Sequence, residues 1–106
     1  LTLLNDPVFF EAAQALARRI LTAIAPDTNA RLDYAFRLCF GRGPSPQELH
    51  QTAEFLDRQT QRLQQEPASR ALLAPFPLEQ VDSTTAAAWT LLASSLMNTD
   101  EFYTRE

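Results

Sequence analysis

Apolar positions along this chain recur at steps of three and four, the spacing of one face of an α-helix. Phe9, Ala13, Leu16, Ile20 and Ile24 form the first such stripe. Asp6 precedes it as an N-cap, and Pro7 falls at the first helical position, where its missing N–H costs nothing. Arg18 and Arg19 lie off the stripe and are placed to complement the negative end of the helix dipole. Ala25-Pro26-Asp27 stops the helix. The second stripe is Leu32, Ala35, Phe36, Cys39 and Phe40, widened by Leu38. Asp27 or Thr28 caps its start, and Gly41 ends it as a residue free to take positive φ. Asp33 and Arg37 form an i,i+4 pair on its outer face.

Ser45-Pro46-Gln47-Glu48 reads as a capping box, with Ser45 at N-cap, Pro46 at N1 and Glu48 at N3. It is the strongest local signal in the chain. The helix it opens carries Leu49, Ala53, Leu56, Thr60 and Leu63 on one line, with Glu54 and Arg58 as an outer i,i+4 pair. Glutamines cover much of the rest. The pattern predicts that the chain leaves helix near Glu66-Pro67.

Residues 66–83 are the least regular stretch. A structureless loop of that length is uncommon inside a compact domain. Ala68 to Ala74 is therefore expected to form a short helix with Leu72 and Leu73 inward. Pro75-Phe76-Pro77 should be extended, because each proline biases its predecessor away from helix. Leu78 and Val81 are expected to pin this strap to the core. Ser83 or Thr84 caps the last long helix, whose stripe is Trp89, Leu92, Ala93, Leu96 and Met97. Asn98 stops it, and Thr99-Asp100-Glu101-Phe102 reads as one more capped turn.

No segment alternates with the period of a strand. The expected fold is all-α: a compact array of four main antiparallel helices, orthogonal or bundle-like. A short extra helix and a Pro-rich strap come before the last helix. Residues 1–106 should form a single helical domain, with Trp89, Leu92, Phe36, Leu16, Ile20 and Leu56 meeting in one core.

Composition adds exclusions. A length of 106 residues is in the single-domain range, and 45% hydrophobic residues suffice for one modest core. The net charge of −4 argues against nucleic acid, which asks for a basic patch, and against a polybasic membrane-surface segment. No apolar run is long enough for membrane insertion, and the residues given do not read as a signal peptide. Every basic residue is an arginine, at 18, 19, 31, 37, 42, 58, 62, 70 and 105. They are spread along the chain, so arginine-rich codon usage accounts for them better than a cluster built for carboxylates or phosphates. Cys39 is alone, which excludes an intrachain disulfide and leaves the redox compartment open. The first residue is Leu1 of an apolar Leu1-Thr2-Leu3-Leu4 run. That pattern leads us to expect the cut edge of a longer chain.

Candidate chemistry is sparse. His50 lies off the apolar stripe with no metal-ligand partner at matched spacing, so it reads as a solvated surface residue. Cys39 reads as a buried inert thiol, since activation needs a nearby base or helix N-terminus. Glu54 with Asp57, and Asp100 with Glu101, read as solvated helix faces rather than acid–base pairs. Gly41 and Gly43 make a turn and not a phosphate loop. Nothing calls for a catalytic residue, a metal or a cofactor. Most aromatics fall on core stripes, but Phe10, Phe55 and Tyr103 do not. With Leu1, Leu3 and Leu4 they are the candidate interface residues.

Three segments together carry a resemblance. They are Leu1-Thr2-Leu3-Leu4-Asn5-Asp6-Pro7-Val8-Phe9 with Glu11-Ala12-Ala13, then Tyr34-Ala35-Phe36-Arg37-Leu38 with Gly41-Arg42 and Pro44 to Leu49, and finally Ala88-Trp89-Thr90 with Leu96 to Glu101. In this order they resemble the C-terminal end of the planctomycete-specific domain of unknown function, across nearly the whole chain. That domain closes large secreted proteins, many with a planctomycete cytochrome-c-like module and some with lectin-like modules. The resemblance implies an extracytoplasmic location, periplasmic or secreted, and a context of electron transfer or polysaccharide handling. It supplies no catalytic residues.

Two functional readings follow. The first is a non-catalytic structural or interaction module at the C-terminus of a larger secreted protein, packed against the upstream domain of its parent. It predicts an exposed apolar patch near Leu1–Leu4 and Phe10. The second is a part of an extracellular polysaccharide-binding or polysaccharide-degrading assembly, and it predicts Phe55, Tyr103 or Trp89 exposed beside a carboxylate. A small-molecule-binding helical bundle is a third and weaker reading.

Overall fold

Local signals in the sequence set most helix ends. Ser45 Oγ accepts from the Glu48 N–H at 3.1 Å, and the Glu48 carboxylate accepts from the Ser45 N–H at 2.9 Å, so both halves of the capping box are made. Asp27 caps the second helix by accepting from the N–H groups of Asn29 and Ala30. Gly41 closes that helix at φ 74°, in the left-handed region that a glycine enters without strain.

The computed structural model describes residues 7–76, 78 and 80–104, with the side chains of 103 and 104 left aside. Leu1, Leu3, Leu4 and the Asp6 cap lie outside the described residues, as do Pro77 and Glu79. The order is α1 (Pro7–Ala23), α2 (Thr28–Phe40), α3 (Pro46–Leu63), α4 (Pro67–Leu73), α5 (Ser83–Met97) and α6 (Asp100–Thr104). The all-α expectation holds. The backbone between Leu78 and Val81 makes one isolated antiparallel bridge and no strand.

The α5 helix is the centre of the array. It packs against α1, α3 and α4, and touches α2 and α6. Its sequence carries no charged residue, and Ala86, Ala87, Ala88, Trp89, Thr90, Leu92, Ala93, Ser94, Leu96 and Met97 are all buried. A helix without a polar face buries most of its circumference. Its small residues let the neighbouring helices approach closely, and the buried Thr90 hydroxyl returns to the Ala86 carbonyl at 2.9 Å. Ile20, Phe36, Leu56, Trp89 and Leu92 meet in the one core, and half-buried Leu16 packs against it. The Cα radius of gyration is 13.0 Å. About 13 Å is the value for a compact domain of this length.

Four details depart from the pattern read along the chain. The cap of α5 is Asp82, whose carboxylate accepts from the Thr85 N–H at 2.7 Å, and not Ser83 or Thr84. Asp82 stands in extended backbone just before the helix, where its carboxylate reaches the Thr85 N–H and faces the positive end of the dipole, whereas Ser83 and Thr84 are already inside the first turn. The α3 helix ends at Leu63, with a turn at 64–65 before Pro67 starts α4. Only Leu73 of the α4 pair turns inward; Leu72 is 69% exposed. Two adjacent positions on a short helix differ by about 100° in direction, so one flat contact cannot bury both. Arg18 and Arg19 lie more than a turn before the end of α1, and the group that reaches its last carbonyls comes from α2 instead.

Candidate functional site

That group is Arg31. Its Nε donates to the Ile24 carbonyl at 3.3 Å and its Nη2 donates to the Leu21 carbonyl at 3.4 Å. Positive charge belongs there, because the last carbonyls of a helix carry its negative end. Arg70 does the same for α3, donating from Nη1 to the carbonyls of Leu63 at 2.6 Å and Gln64 at 3.2 Å. The two arginines differ in burial. Arg70 is half-buried, whereas Arg31 is 7% exposed, and burial pushes its guanidinium below the ordinary arginine range.

Arg31 lines a pocket of about 440 Å³ where the end of α1, the start of α2 and the strap meet. Leu21, Ile24, Pro26, Leu78 and Val81 form its apolar walls, and Thr22 and Gln80 add polar groups. Gln80 has φ 63°. That is a left-handed conformation in which a residue with a long side chain carries strain. It closes the tight turn between the bridged Leu78 and Val81. Arg18 holds the strap from the α1 side, with its guanidinium carbon 4.9 Å from the centre of the Phe76 ring.

A second pocket, of about 360 Å³, opens between the starts of α2 and α5 and the middle of α3. Thr28, Asn29, Asp57, Thr60 and Thr85 surround it, above Trp89. Trp89 lines this space but is only 4% exposed.

The densest polar cluster centres on Arg42. Its Nη1 donates to Glu48 Oε1 at 2.7 Å and to the Gly43 carbonyl at 3.0 Å. Its Nη2 donates to Glu48 Oε2 at 2.9 Å and to Glu101 Oε1 at 2.7 Å, and its Nε donates to Glu101 Oε2 at 2.9 Å. All five N–H groups of the fork are thereby used. The hydrogen bonds to Glu48 and Glu101 hold the guanidinium above its ordinary range. Those from Arg42, with the Ser45 N–H, hold the Glu48 carboxyl at about 2. Arg42 likewise depresses Glu101. The edge-to-face pair Phe36 and Phe40 lies under the same guanidinium, at 5.9 and 5.7 Å. A fork saturated in this way is a structural clamp with no donor left for a ligand.

Other positions singled out from the sequence fall as follows. His50 is exposed and sits 3.3 Å from Glu54. Cys39 is buried on α2. Phe10 and Phe55 are half-buried and pack against the core, while the side chain of Tyr103 lies outside the described residues. No three His, Cys, Asp or Glu side chains among the described residues are grouped to hold a metal ion. No described helix is long and apolar enough to cross a membrane. Sequence reasoning missed Arg31, whose i,i+7 relation to Ile24 crosses a helix break, and it missed the joining of Arg42 to Glu101.

A family model described as PSD1, protein of unknown function (DUF1553), matches residues 1–56. The matched stretch contains two of the three segments that carried the resemblance. No curated protein matches the chain, and no solved structure does.

Proposed function

This chain belongs to the PSD1 family of proteins of unknown function, and from that premise we propose that it is a non-catalytic structural or interaction module of a larger secreted bacterial protein. Its partner in this reading is the upstream domain of the parent, with the module at the C-terminal end and outside the cytoplasm. The observation that carries the reading is the exposure of Val8 at 75% and Leu72 at 69%, the two large apolar side chains left in water among the described residues. They stand on α1 and α4, which Gln14 ties together by donating to the carbonyls of Leu72 and Leu73 at 3.4 and 3.1 Å. These two exposed side chains are the support for a docking face, in place of the patch expected around Phe10, which is half-buried against the core.

Co-purification of the chain with the separately expressed upstream domain tests this. We expect a complex that Val8→Asp with Leu72→Asp weakens at least tenfold while helix content and thermal midpoint stay unchanged. Absence of a complex, or one indifferent to both substitutions, overturns the reading.

A second reading, membership in an extracellular polysaccharide-binding or polysaccharide-degrading assembly, asks for an exposed aromatic beside a carboxylate; Trp89 is buried and Phe55 half-buried, so its support is confined to the polar rim of the pocket beside Trp89. Its hydroxyl, amide and carboxylate rim suits hydroxylated ligands. Titration with soluble oligosaccharides, followed by Trp89 fluorescence, checks it; an unchanged emission removes it.

A further inference from the structure

We propose that the Arg31 pocket binds a small organic carboxylate with an aliphatic body. The inference is independent of the interface reading. Its starting point is an unbalanced charge. Arg31 is 7% exposed, yet no described carboxylate pairs with it, and its hydrogen bonds go to two backbone carbonyls at 3.3 and 3.4 Å. A buried guanidinium is costly unless an anion or a full set of acceptors answers it. The partial negative charge at the end of α1 answers only about half of a unit charge.

No fully buried side-chain nitrogen among the described residues lacks a partner. Nη1 of Arg31, which has no acceptor, therefore has accessible surface, and Arg31 is one of the residues lining this pocket. Its volume of about 440 Å³ is in the range of small-molecule sites, roughly 300–1,000 Å³. Leu21, Ile24, Leu78 and Val81 give it aliphatic walls. Gln80 lines it from a strained left-handed backbone, φ 63°, and strain of this kind gathers at ligand clamps. One cation, one amide and aliphatic walls select a carboxylate with an apolar tail over a phosphate, which would ask for more donors.

The probes are hexanoate, its neutral isostere hexanamide, and acetate. Each is titrated into the whole chain at neutral pH, followed by amide and arginine Nε–H NMR signals. We expect saturable shifts at Arg31, Leu78 and Val81 with hexanoate, affinity at least tenfold weaker for hexanamide, and several-fold weaker for acetate. Arg31→Met keeps an apolar stem and should abolish the preference for the anion. Arg31 also supports α1, so Val81→Trp serves as a second variant; it fills the pocket, leaves Arg31 in place, and should remove hexanoate binding. The proposal is overturned by the absence of saturable hexanoate shifts, by equal affinity for hexanoate and hexanamide or for hexanoate and acetate, or by hexanoate binding that survives Val81→Trp.

Discussion

Arg42 grips Glu101 with two parallel hydrogen bonds, at 2.7 and 2.9 Å, across 59 positions of sequence. The same guanidinium holds Glu48 at the start of α3. One side chain on the loop between α2 and α3 therefore ties the start of α3 to α6. Bidentate geometry is what lifts such a pair above an ordinary surface ion pair.

Removing either partner should release α6 before the rest of the domain. Arg42→Gln and Glu101→Gln are each expected to lower the thermal midpoint and to speed amide exchange in 100–104. The double variant should cost less than the sum of the two, since both remove one interaction. Additive losses in thermal melts would show that the two residues act separately.

Acid should act through Glu48. Its carboxyl is held at about 2 against an ordinary 4.5, so the folded state binds that proton less readily than the unfolded chain. The stabilisation is fully present above the unfolded value and is lost as pH falls from about 4.5 toward 2. Glu48→Gln is expected to flatten the stability curve in that window, measured by urea unfolding at stepped pH. An unchanged slope would remove Glu48 as a source of acid sensitivity.

The cap of α5 is separable by substitution. Asp82→Ala should cost about 1 kcal/mol, the usual loss for an N-cap. Thr84→Ala, one position inside the first turn, should stay within about 0.5 kcal/mol. Denaturant midpoints for the two variants decide between the carboxylate and the hydroxyl as the capping group.

The centre of α5 should reject bulk. Ala87 is fully buried in a helix with neighbours on several sides. Ala87→Leu is expected to destabilise by about 1–3 kcal/mol, as overpacked cores do. A stability equal to the parent chain would mean that the small residues of α5 do not set the helix spacing.

Pocket and clamp were read from the sequence to different depths. Glu48 was legible, because its capping role needs only Ser45 three positions earlier. Its second role was not, since Arg42 reaches it from outside the helix. Arg31 looked like one more surface arginine. Nothing in its local pattern says that the end of α1 will lie against it and exclude water. The absence of charge between Ser83 and Asn98 did carry a usable signal for a central helix, and the stripe at Trp89, Leu92 and Met97 understates it.

Local chemistry alone determined that this protein is helical and where most of its helices begin and stop. Caps at Asp27 and Ser45, the prolines at N1 and the glycine at 41 act within a few residues, so their effect is written beside them. Only the tertiary structure decided which helix is central, which of Leu72 and Leu73 is buried, and which arginines lose their water. Those outcomes depend on how helices far apart in sequence pack, because burial and long-range ion pairing are properties of the neighbours a residue acquires. A chain without a sequence-visible reaction centre can still hold a pocket with a buried guanidinium that no described carboxylate pairs with, because motifs are local and burial comes from packing.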